Sequence, residues 1–271
     1  MIIHDSVPTV VGPRAAGLLR WDGFHANDPH DQPVWLVPHG TRTHQKGVIR
    51  SRQWRLPWKI VDGVAIANPA LVFSHLAIGL RPLQRWDNDP DPISCVDRIE
   101  LALEYCLRHG YRLATGARGR GAPTATTLSQ LLIRRGIGEP PTDSYAEVRL
   151  IQRLRRHGLD RVFRQVPLLR GGRIVNRIDI VVPYHPRSLR PFAFDAEVGV
   201  PIEVDGRAYH ERQFEKDRVR HNNHTMAGGR LLVATPSLIE GSFTRFGADI
   251  VRVLARFAPK TATQIPTTAF G

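Results

Sequence analysis

The sequence predicts a protein of the mixed α/β (α+β) class with two domains. Its 271 residues suit two modest cores better than one. Short strand patterns and amphipathic helix patterns occur in both halves of the chain, and a Gly- and Pro-containing stretch at residues 138–142 separates the halves. We therefore expect a mixed α/β N-terminal domain over residues 1–140, a second α/β domain over residues 141–258 and a disordered tail over residues 259–271.

Positive charge is the most informative feature of the composition. The 38 Lys and Arg residues exceed the 25 Asp and Glu residues, which gives a formal net charge of +13. Such an excess favours a polyanionic partner, and nucleic acid is the commonest one. Because arginine is spread over the whole chain, a generally basic protein without such a partner is the alternative interpretation.

The sequence carries no pattern typical of membrane insertion or secretion. No apolar run approaches the roughly 18 residues that a membrane span needs, and the N-terminus lacks a basic segment followed by an apolar one. Cys95 and Cys106 lie in one predicted helix, about 16 Å apart along its axis, which is too far for a disulfide. We expect buried, reduced thiols in a cytoplasmic protein with no membrane partner.

The N-terminal half is predicted to contain short strands followed by helices. Three strand patterns and three helix patterns occur in that order, at residues 34–37, 48–49, 59–61, 69–80, 94–109 and 127–135. Asn68 caps and Pro69 starts the first helix, while Ser94 starts the second and Gly110 follows its end. The basic, glycine-rich segment at residues 115–121 predicts either a phosphate contact or a connector.

The C-terminal half has a different order of elements: a helix, three or four strands, a helix, a strand and a final helix. The first helix and the strands are predicted at residues 144–157, 162–169, 174–182, 200–206 and 230–234. The last helix is expected to turn five apolar side chains inward: Phe243, Phe246, Ile250, Val253 and Phe257. Gly158 is expected to end the first helix of this half.

Glu147 and Asp179 stand where charge is unusual. Glu147 lies on the core-facing side of its helix, where a carboxylate needs a partner, but the pattern Ser144-x-x-Glu147 also predicts a capping box. Asp179 interrupts an apolar strand in which Ile178, Ile180 and Val182 are expected to face one way and Asp179 the other. Either a salt bridge or a metal ion would compensate that aspartate.

A second acidic cluster follows in the run Ile-Glu-Val-Asp-Gly at residues 202–206. Glu203 and Asp205 are predicted to share the face opposite the core, about 6.6 Å apart by strand rise. Their repulsion, together with Asp179 on a neighbouring strand, favours a bound cation. Carboxylate oxygens and water are the ligands that Mg²⁺ prefers, so Asp179 and Glu203 are predicted to hold Mg²⁺ or Mn²⁺ in a site for phosphodiester chemistry.

Histidine and arginine side chains follow this run. His210 is a candidate general acid or base, with capping or packing as the alternative. Arg220 is a candidate phosphate ligand, although its spacing from Asp217 also predicts a helix ion pair. The candidate nucleic-acid contacts are Arg177, Arg207, Arg218 and Arg220.

These residues resemble the nuclease-like domain of the very-short-patch-repair endonucleases, which belong to the PD-(D/E)XK superfamily. The similarity covers residues 142–257 and depends on five stretches: Ser144-x-x-Glu147, Gln165-Val166, Arg177-Ile-Asp179, Ile202 to Gly206 with His210, and Asp217-x-x-Arg220. It implies a restriction-endonuclease-like mixed sheet flanked by helices, Mg²⁺ dependence and hydrolysis of DNA. By resemblance, Glu147 matches the helix carboxylate near the metal, Asp179 the principal metal ligand and Glu203 the second acidic position.

Two features depart from the family pattern. Asp205 stands where many members have lysine, and the short-patch-repair-like members that lack this lysine use histidine, which implicates His210. The spacing from Asp179 to Glu203 is longer than usual, which implies an inserted hairpin. Residues 192–197 could supply a strand there, so Asp195 and Glu197 are alternative acidic positions.

The N-terminal half more weakly resembles the region beside such domains in proteins related to the abortive-infection (AbiEi-type) antitoxins. The matching stretches are residues 14–19, 35–38 and 66–77. The resemblance implies a toxin or defence-system partner. Too few residues precede Arg14 for the winged helix with which such proteins often begin, so a DNA-reading role is not carried over.

Three hypotheses follow for the acidic cluster. The first is an active, Mg²⁺-dependent endodeoxyribonuclease in repair or defence. The second is a catalytically inactive DNA-binding or antitoxin-like regulator that keeps the nuclease fold. The third is a structural cluster neutralised by Arg177 or Arg207.

Overall fold

The computed structural model describes residues 8–29, 31–38, 45–51, 59–78, 80–84, 91–111, 123–136, 139–185, 187–195, 197–205, 231–241 and 243–257. The chain divides into two compact units, an N-terminal unit over Met1–Ile137 and a C-terminal unit over Gly138–Gly271. Each unit contains a mixed sheet and helices, so the predicted mixed α/β class is confirmed. Within the described ranges, no helix is long and apolar enough to cross a bilayer. The predicted disordered tail lies outside the described residues.

The N-terminal unit is built on a five-stranded sheet. Its strands are β1 (Thr9–Val11), β2 (Val34–Pro38), β3 (Val48–Ser51), β4 (Lys59–Val61) and β5 (Val64–Ile66). Their order in the sheet is β3-β2-β1-β5-β4. The outer pairs differ, because β2 and β3 are parallel whereas β4 and β5 form an antiparallel hairpin.

Four helices of this unit pack their apolar side chains with those of the sheet. They are α1 (Gly12–Leu18), α2 (Pro69–Ser74), α3 (Cys95–Arg108) and α4 (Pro123–Arg135). The predicted caps are confirmed: Asn68 accepts a hydrogen bond from the backbone of Leu71 at 3.0 Å, and Ser94 accepts one from Asp97 at 3.1 Å. The predicted extension of α2 to Leu80 is wrong, because α2 ends at Ser74.

Arg98 connects α3 to the segment that follows α1. Its fully buried guanidinium donates to both carboxylate oxygens of Asp31, at 3.2 and 2.6 Å, and to the carbonyl oxygens of Gly23 and Arg81. Phe24 lies against the same guanidinium, 4.6 Å from ring centroid to Cζ. Burial raises the pKa of Asp31, and the arginine opposes that shift.

The C-terminal unit contains a four-stranded sheet in the order β6-β7-β8-β9. Its strands are β6 (Phe163–Arg170), β7 (Arg173–Pro183), β8 (Gly199–Val204) and β9 (Leu232–Ala234). The first three strands are antiparallel neighbours, whereas β9 runs parallel to β8. The helices described in this unit are α5 (Tyr145–Arg156), α6 (Pro236–Glu240) and α7 (Phe243–Phe257).

These three helices contribute to one core against the sheet. The strands supply Ile180, Val182, Val200, Ile202 and Ala234 to that core. Its helix side is formed by Leu150, Ile151, Leu154, Ile239, Phe243, Phe246, Ile250 and Leu254. The inward positions of α7 therefore end at Leu254. The expectation for Phe257 is wrong, because that side chain is 47% exposed.

A second, smaller core contains five apolar side chains of β6 and β7: Phe163, Val166, Leu168, Ile178 and Val181. The connection between β7 and β8 covers it with Phe194, whose backbone N–H donates to the Pro167 carbonyl oxygen at 2.7 Å. Phe192 is 86% exposed. The described residues around Phe194 form an irregular segment rather than the strand suggested for residues 192–197.

Candidate functional site

Gln165 and Asp179 face each other across the first hairpin of the C-terminal sheet. The register between β6 and β7 pairs Arg164 with Ile180, which puts Gln165 opposite Asp179. Both side chains are buried, with relative exposures of 5% and 6%. A buried aspartate in the middle of a sheet needs hydrogen bonds or opposite charge, because burial removes its hydration.

Asp179 and Glu203 occupy the place where β7 and β8 stop pairing. The last paired residues of the two strands are Ile180 and Ile202, so Asp179 and Glu203 come next on their strands. The carboxylate of Asp179 accepts a hydrogen bond from the backbone N–H of Val204 at 2.9 Å. The Asp179 carboxylate therefore accepts a hydrogen bond that a backbone carbonyl oxygen would accept if the two strands stayed paired.

Glu203 also lies within the parallel pairing of β8 with β9, where its register partner is Val233. Its side chain is 8% exposed. Two buried carboxylates thus lie at the same level on adjacent strands, and both make interactions with surrounding residues. Like charges in that position repel one another and favour a cation nearby.

Gln165 interrupts the regular alternation of β6. Its φ of +48° lies in the left-handed region, which a glutamine rarely adopts. The β6 side chains in the smaller core are consequently spaced by three residues and then two: Phe163, Val166 and Leu168. On β7, Ile178 and Val181 belong to the smaller core and Ile180 to the larger one, so the expectation that Ile178 shares a face with Ile180 is wrong.

Glu147, at the start of α5, is hydrogen-bonded to Gln165. One carboxylate oxygen accepts from the Ser144 hydroxyl at 2.8 Å, and the other accepts from the Asp143 backbone and the Gln165 amide, both at 3.0 Å. Ser144 in turn accepts from the Glu147 backbone, as in a capping box, while Glu147 reaches back to the Asp143 N–H and the Ser144 hydroxyl at the helix start. Burial raises the pKa of Glu147 above its ordinary value, and these hydrogen bonds oppose the shift.

An ion pair between Arg190 and Glu139 holds the backbone around Gln165. Arg190, from the connection between β7 and β8, pairs with Glu139 and donates to the carbonyl oxygens of Arg164 and Gln165, at 2.7 and 3.3 Å. Glu139 also accepts from the Arg164 backbone N–H at 3.1 Å. These contacts stabilise the uncommon conformation that directs Gln165 toward Glu147.

The other predicted site residues differ in position. Asp205 is exposed just beyond β8, and its backbone N–H donates to Ala234 at 2.9 Å. Arg177 is exposed on β7. Asp195 and Glu197 are exposed in the connection, where the Asp195 carboxylate accepts from the Glu197 backbone. Four further predicted residues lie outside the described part of the chain: Arg207, His210, Arg218 and Arg220.

Among the described residues, Asp179 and Glu203 are the candidate oxygen ligands of a metal ion. Within the described ranges, no group of three or more His, Cys, Asp or Glu side chains lies close enough to hold a metal ion. A Mg²⁺ site needs only one or two carboxylates, because water completes its coordination. Asp179 and Glu203 fit that requirement, whereas both oxygens of Glu147 are already bonded to three donors.

Sequence analysis did not identify Gln165, Glu139 and Arg190 as parts of this network. Gln165 entered only through the resemblance of its strand. The signal that could have found it is its position: a polar residue within the largely apolar run of β6, five positions before Arg170 at the hairpin turn. Glu139 and Arg190 lie 51 residues apart in sequence and carry no local pattern.

No protein-family model matches the sequence, and no match was found among curated proteins or among solved structures.

Proposed function

We propose that the C-terminal unit is a Mg²⁺-dependent endonuclease domain that hydrolyses phosphodiester bonds in DNA, in repair or in defence against foreign DNA. The observation that carries this proposal is the pair of buried carboxylates, Asp179 and Glu203, where β7 and β8 separate. The proposal includes a restriction-endonuclease-like fold for the unit, which its mixed sheet with helices supports. The net charge of +13 suits a nucleic-acid substrate.

Asp179 and Glu203 would hold the divalent cation. Both supply hard oxygen donors, and the hydrogen bond from Val204 to Asp179 fixes the direction of one carboxylate. A bound Mg²⁺ or Mn²⁺ supplies charge neutralisation at the phosphate and a lowered pKa for water. We assign Glu147 to positioning, because its oxygens are engaged by Ser144, Asp143 and Gln165.

The remaining assignments come from the sequence. His210 is proposed as the general acid or base, because Asp205 replaces the lysine common in similar domains. Arg177, Arg207, Arg218 and Arg220 are proposed to contact phosphates. A cytoplasmic location and a toxin or defence-system partner are likewise proposals that follow from the sequence.

The decisive experiment measures cleavage of plasmid and single-stranded DNA by the full chain with Mg²⁺, Mn²⁺, Ca²⁺ or EDTA. We expect cutting with Mg²⁺ or Mn²⁺ and none with EDTA. Asp179→Asn and Glu203→Gln should each reduce the cleavage rate by about a hundredfold or more, the scale on which removal of one group that stabilises the transition state acts. Asn can still accept the Val204 hydrogen bond, so Asp179→Asn removes the charge and keeps the fold.

The matched control neutralises two exposed carboxylates of the same unit, Asp195→Asn with Glu197→Gln. This variant should cut at the rate of the unaltered protein. Mn²⁺ binding, followed by electron paramagnetic resonance, should weaken in Asp179→Asn and not in the control. Equal losses in the control and in Asp179→Asn would place the activity elsewhere.

The alternative function is a catalytically inactive DNA-binding or antitoxin-like regulator. One observation favours it: Asp205, exposed beside the candidate site, carries a negative charge where a lysine would stabilise an attacked phosphate. DNA binding without cleavage under any of these metals would support the regulator and exclude the nuclease.

A further inference from the structure

The β6–β7 hairpin extends beyond the rest of the C-terminal sheet. β7 pairs with β8 only through the residues from Ile180 to Pro183, so its first half has β6 as its one strand neighbour among the described residues. Residues 170–175 are all exposed, although alternate side chains of a strand point to opposite faces. The end of this two-stranded ribbon, residues 170–175, is therefore open to solvent on both faces.

The turn of this hairpin is short. Gly171 and Gly172 form a two-residue connection, and both have positive φ, +57° and +76°. Such a turn matches the right-handed twist of the flanking strands and keeps them paired up to the last residue. The ribbon end is consequently an ordered projection, with Arg170 paired directly with Arg173.

The charge on this ribbon has one sign. No acidic residue occurs between Asp160 and Asp179, whereas Arg170, Arg173 and Arg177 all lie on the ribbon and are exposed. Within the described part of the chain, the side chains of Arg170 and Arg173 make no ion pair or hydrogen bond. Two like charges directly opposite each other destabilise a hairpin, and a polyanion bound at its tip would remove that cost.

Apolar side chains accompany the arginines. Ile174 is 55% exposed and Val175 is 43% exposed, and both lie where the β6–β7 register shifts near the end of the ribbon. Branched apolar side chains beside arginines suit a DNA groove, where arginine bonds to phosphates and guanine edges and apolar groups contact the methyl group of thymine.

From this arrangement we propose that the β6–β7 hairpin enters the major groove of double-stranded DNA, which makes the duplex the substrate form. The inference rests on the proposed nuclease function for the reaction that the bound duplex would undergo, but not for the binding itself. The major groove, about 12 Å wide, admits a two-stranded ribbon, whereas the minor groove, about 6 Å wide, is too narrow. The deep, narrow major groove of A-form RNA excludes it as well.

The distances along β7 agree with this arrangement. From Arg177 to Arg173 the strand rises about 13 Å, comparable with the width of the groove. Asp179 is two residues beyond Arg177, about 7 Å along the same strand. A ribbon lying in the groove would therefore bring the bordering phosphate backbone toward the level of Asp179 and Glu203.

The test compares two variants that remove the same charge. Arg170→Ser with Arg173→Ser alters the ribbon, and Arg245→Ser with Arg252→Ser removes two exposed arginines from α7. Fluorescence anisotropy of a labelled DNA duplex, with Ca²⁺ or EDTA in place of Mg²⁺, measures binding without the need for cleavage. Single-stranded DNA and double-stranded RNA of the same sequence are measured in parallel.

Loss of two phosphate contacts should lower the slope of log K against log salt by about 1.8. Between 50 and 200 mM salt, that slope corresponds to roughly a tenfold smaller loss of affinity for the ribbon variant than for the unaltered protein. The α7 variant should keep the original slope. Neither variant should melt well below the unaltered protein, because the ribbon variant removes a repulsion between opposite arginines and the α7 variant removes exposed side chains. Equal slopes in the two variants, or equally strong binding of single strands or RNA, would overturn the proposal.

The outcomes separate this inference from the proposed function. If the ribbon variant loses duplex binding and the unaltered protein never cuts DNA, the ribbon proposal holds and the nuclease proposal fails. If the unaltered protein cuts DNA and the ribbon variant binds and cuts equally well, the ribbon proposal fails and the nuclease proposal holds. Absence of duplex binding by the unaltered protein would refute the ribbon proposal, whereas absence of cleavage of both plasmid and single-stranded DNA would refute the nuclease proposal.

Discussion

Replacing Glu147 by glutamine separates the structural role of this side chain from a catalytic one. Its carboxylate accepts three hydrogen bonds, from the Ser144 hydroxyl, the Asp143 backbone and the Gln165 amide. Glutamine can place its single oxygen where two of these donors converge and donate its NH₂ to the Ser144 oxygen. The contacts would persist while the charge disappears.

The cost of each substitution follows from the partners left behind. Alanine at position 147 removes the acceptor of the buried Gln165 amide, which costs about 1–3 kcal/mol, and half of the capping box, which costs about 1 kcal/mol. We expect Glu147→Ala to lower the free energy of unfolding by about 2–4 kcal/mol. Glu147→Gln should lower it by less than about 1 kcal/mol, because no buried donor loses its acceptor.

The pH dependence gives a second signature. Burial raises the pKa of Glu147 in the folded state above its ordinary value, so the folded protein binds this proton more tightly than the unfolded chain. Its contribution to stability is therefore fully present below the unfolded pKa and declines as the pH rises through the folded pKa. In Glu147→Gln this decline should vanish, and the unfolding free energy should vary less with pH above about 4.5.

Urea unfolding of the full chain at several pH values measures both effects. All five tryptophans, Trp21, Trp35, Trp54, Trp58 and Trp86, belong to the N-terminal unit, so their fluorescence serves as an internal control. Far-ultraviolet circular dichroism also includes the C-terminal unit. Equal destabilisation by alanine and glutamine, or an unchanged pH dependence in Glu147→Gln, would refute the hydrogen-bond assignment. Loss of DNA cleavage in a stable Glu147→Gln would show that the charge itself is needed.

Three further substitutions or reactions test other contacts. Asp179→Ala leaves the Val204 N–H without its carboxylate acceptor and should cost about 1–3 kcal/mol by circular dichroism, whereas Asp179→Asn should cost less than about 1 kcal/mol. Arg98→Met leaves Asp31 buried without its cation and should lower the free energy of unfolding of the N-terminal unit by about 3–5 kcal/mol, measured by tryptophan fluorescence. Adding Asp31→Asn to this variant should reduce the loss, and an equal loss in the double variant would contradict the pairing. Burial raises the pKa of Cys106 to about 12, so at pH 8 this thiol should resist a disulfide reagent until the protein unfolds, and rapid labelling of the folded protein would contradict its burial.

Three helix starts were predictable because their determinants are local, whereas α1 and α6 were not predicted and α4 begins at Pro123 rather than at Thr127. Asn68, Ser94 and Ser144 each cap the helix that follows, and each accepts the expected backbone hydrogen bond. These signals lie within four residues of the boundary that they fix. Strands of three residues carry little pattern: β1 and β5 were missed, although β4 and β9, which are equally short, were predicted.

The distribution of β7 side chains between the two cores could not be predicted from the sequence. Regular alternation puts Ile178 beside Ile180, but Ile178 belongs to the smaller core and Ile180 to the larger one, at the level of the left-handed Gln165 on β6. That conformation depends on Arg190 and Glu139, which reach β6 from other parts of the chain. Local propensity favours neither a positive φ at glutamine nor this ion pair.

Burial distinguishes carboxylates that sequence spacing treats alike. Asp205 and Glu203 alternate with apolar residues in one run, yet Asp205 is exposed and Glu203 is buried beside Asp179. Keeping a carboxylate out of water costs several kcal/mol unless hydrogen bonds or charge compensate it, whereas an exposed carboxylate costs nothing. In the structure, Asp179 accepts the hydrogen bond from Val204, and both buried carboxylates interact with surrounding residues. Two like charges on adjacent strands support the proposed cation as an addition to these partners, whereas the exposed Asp205 needs no compensation.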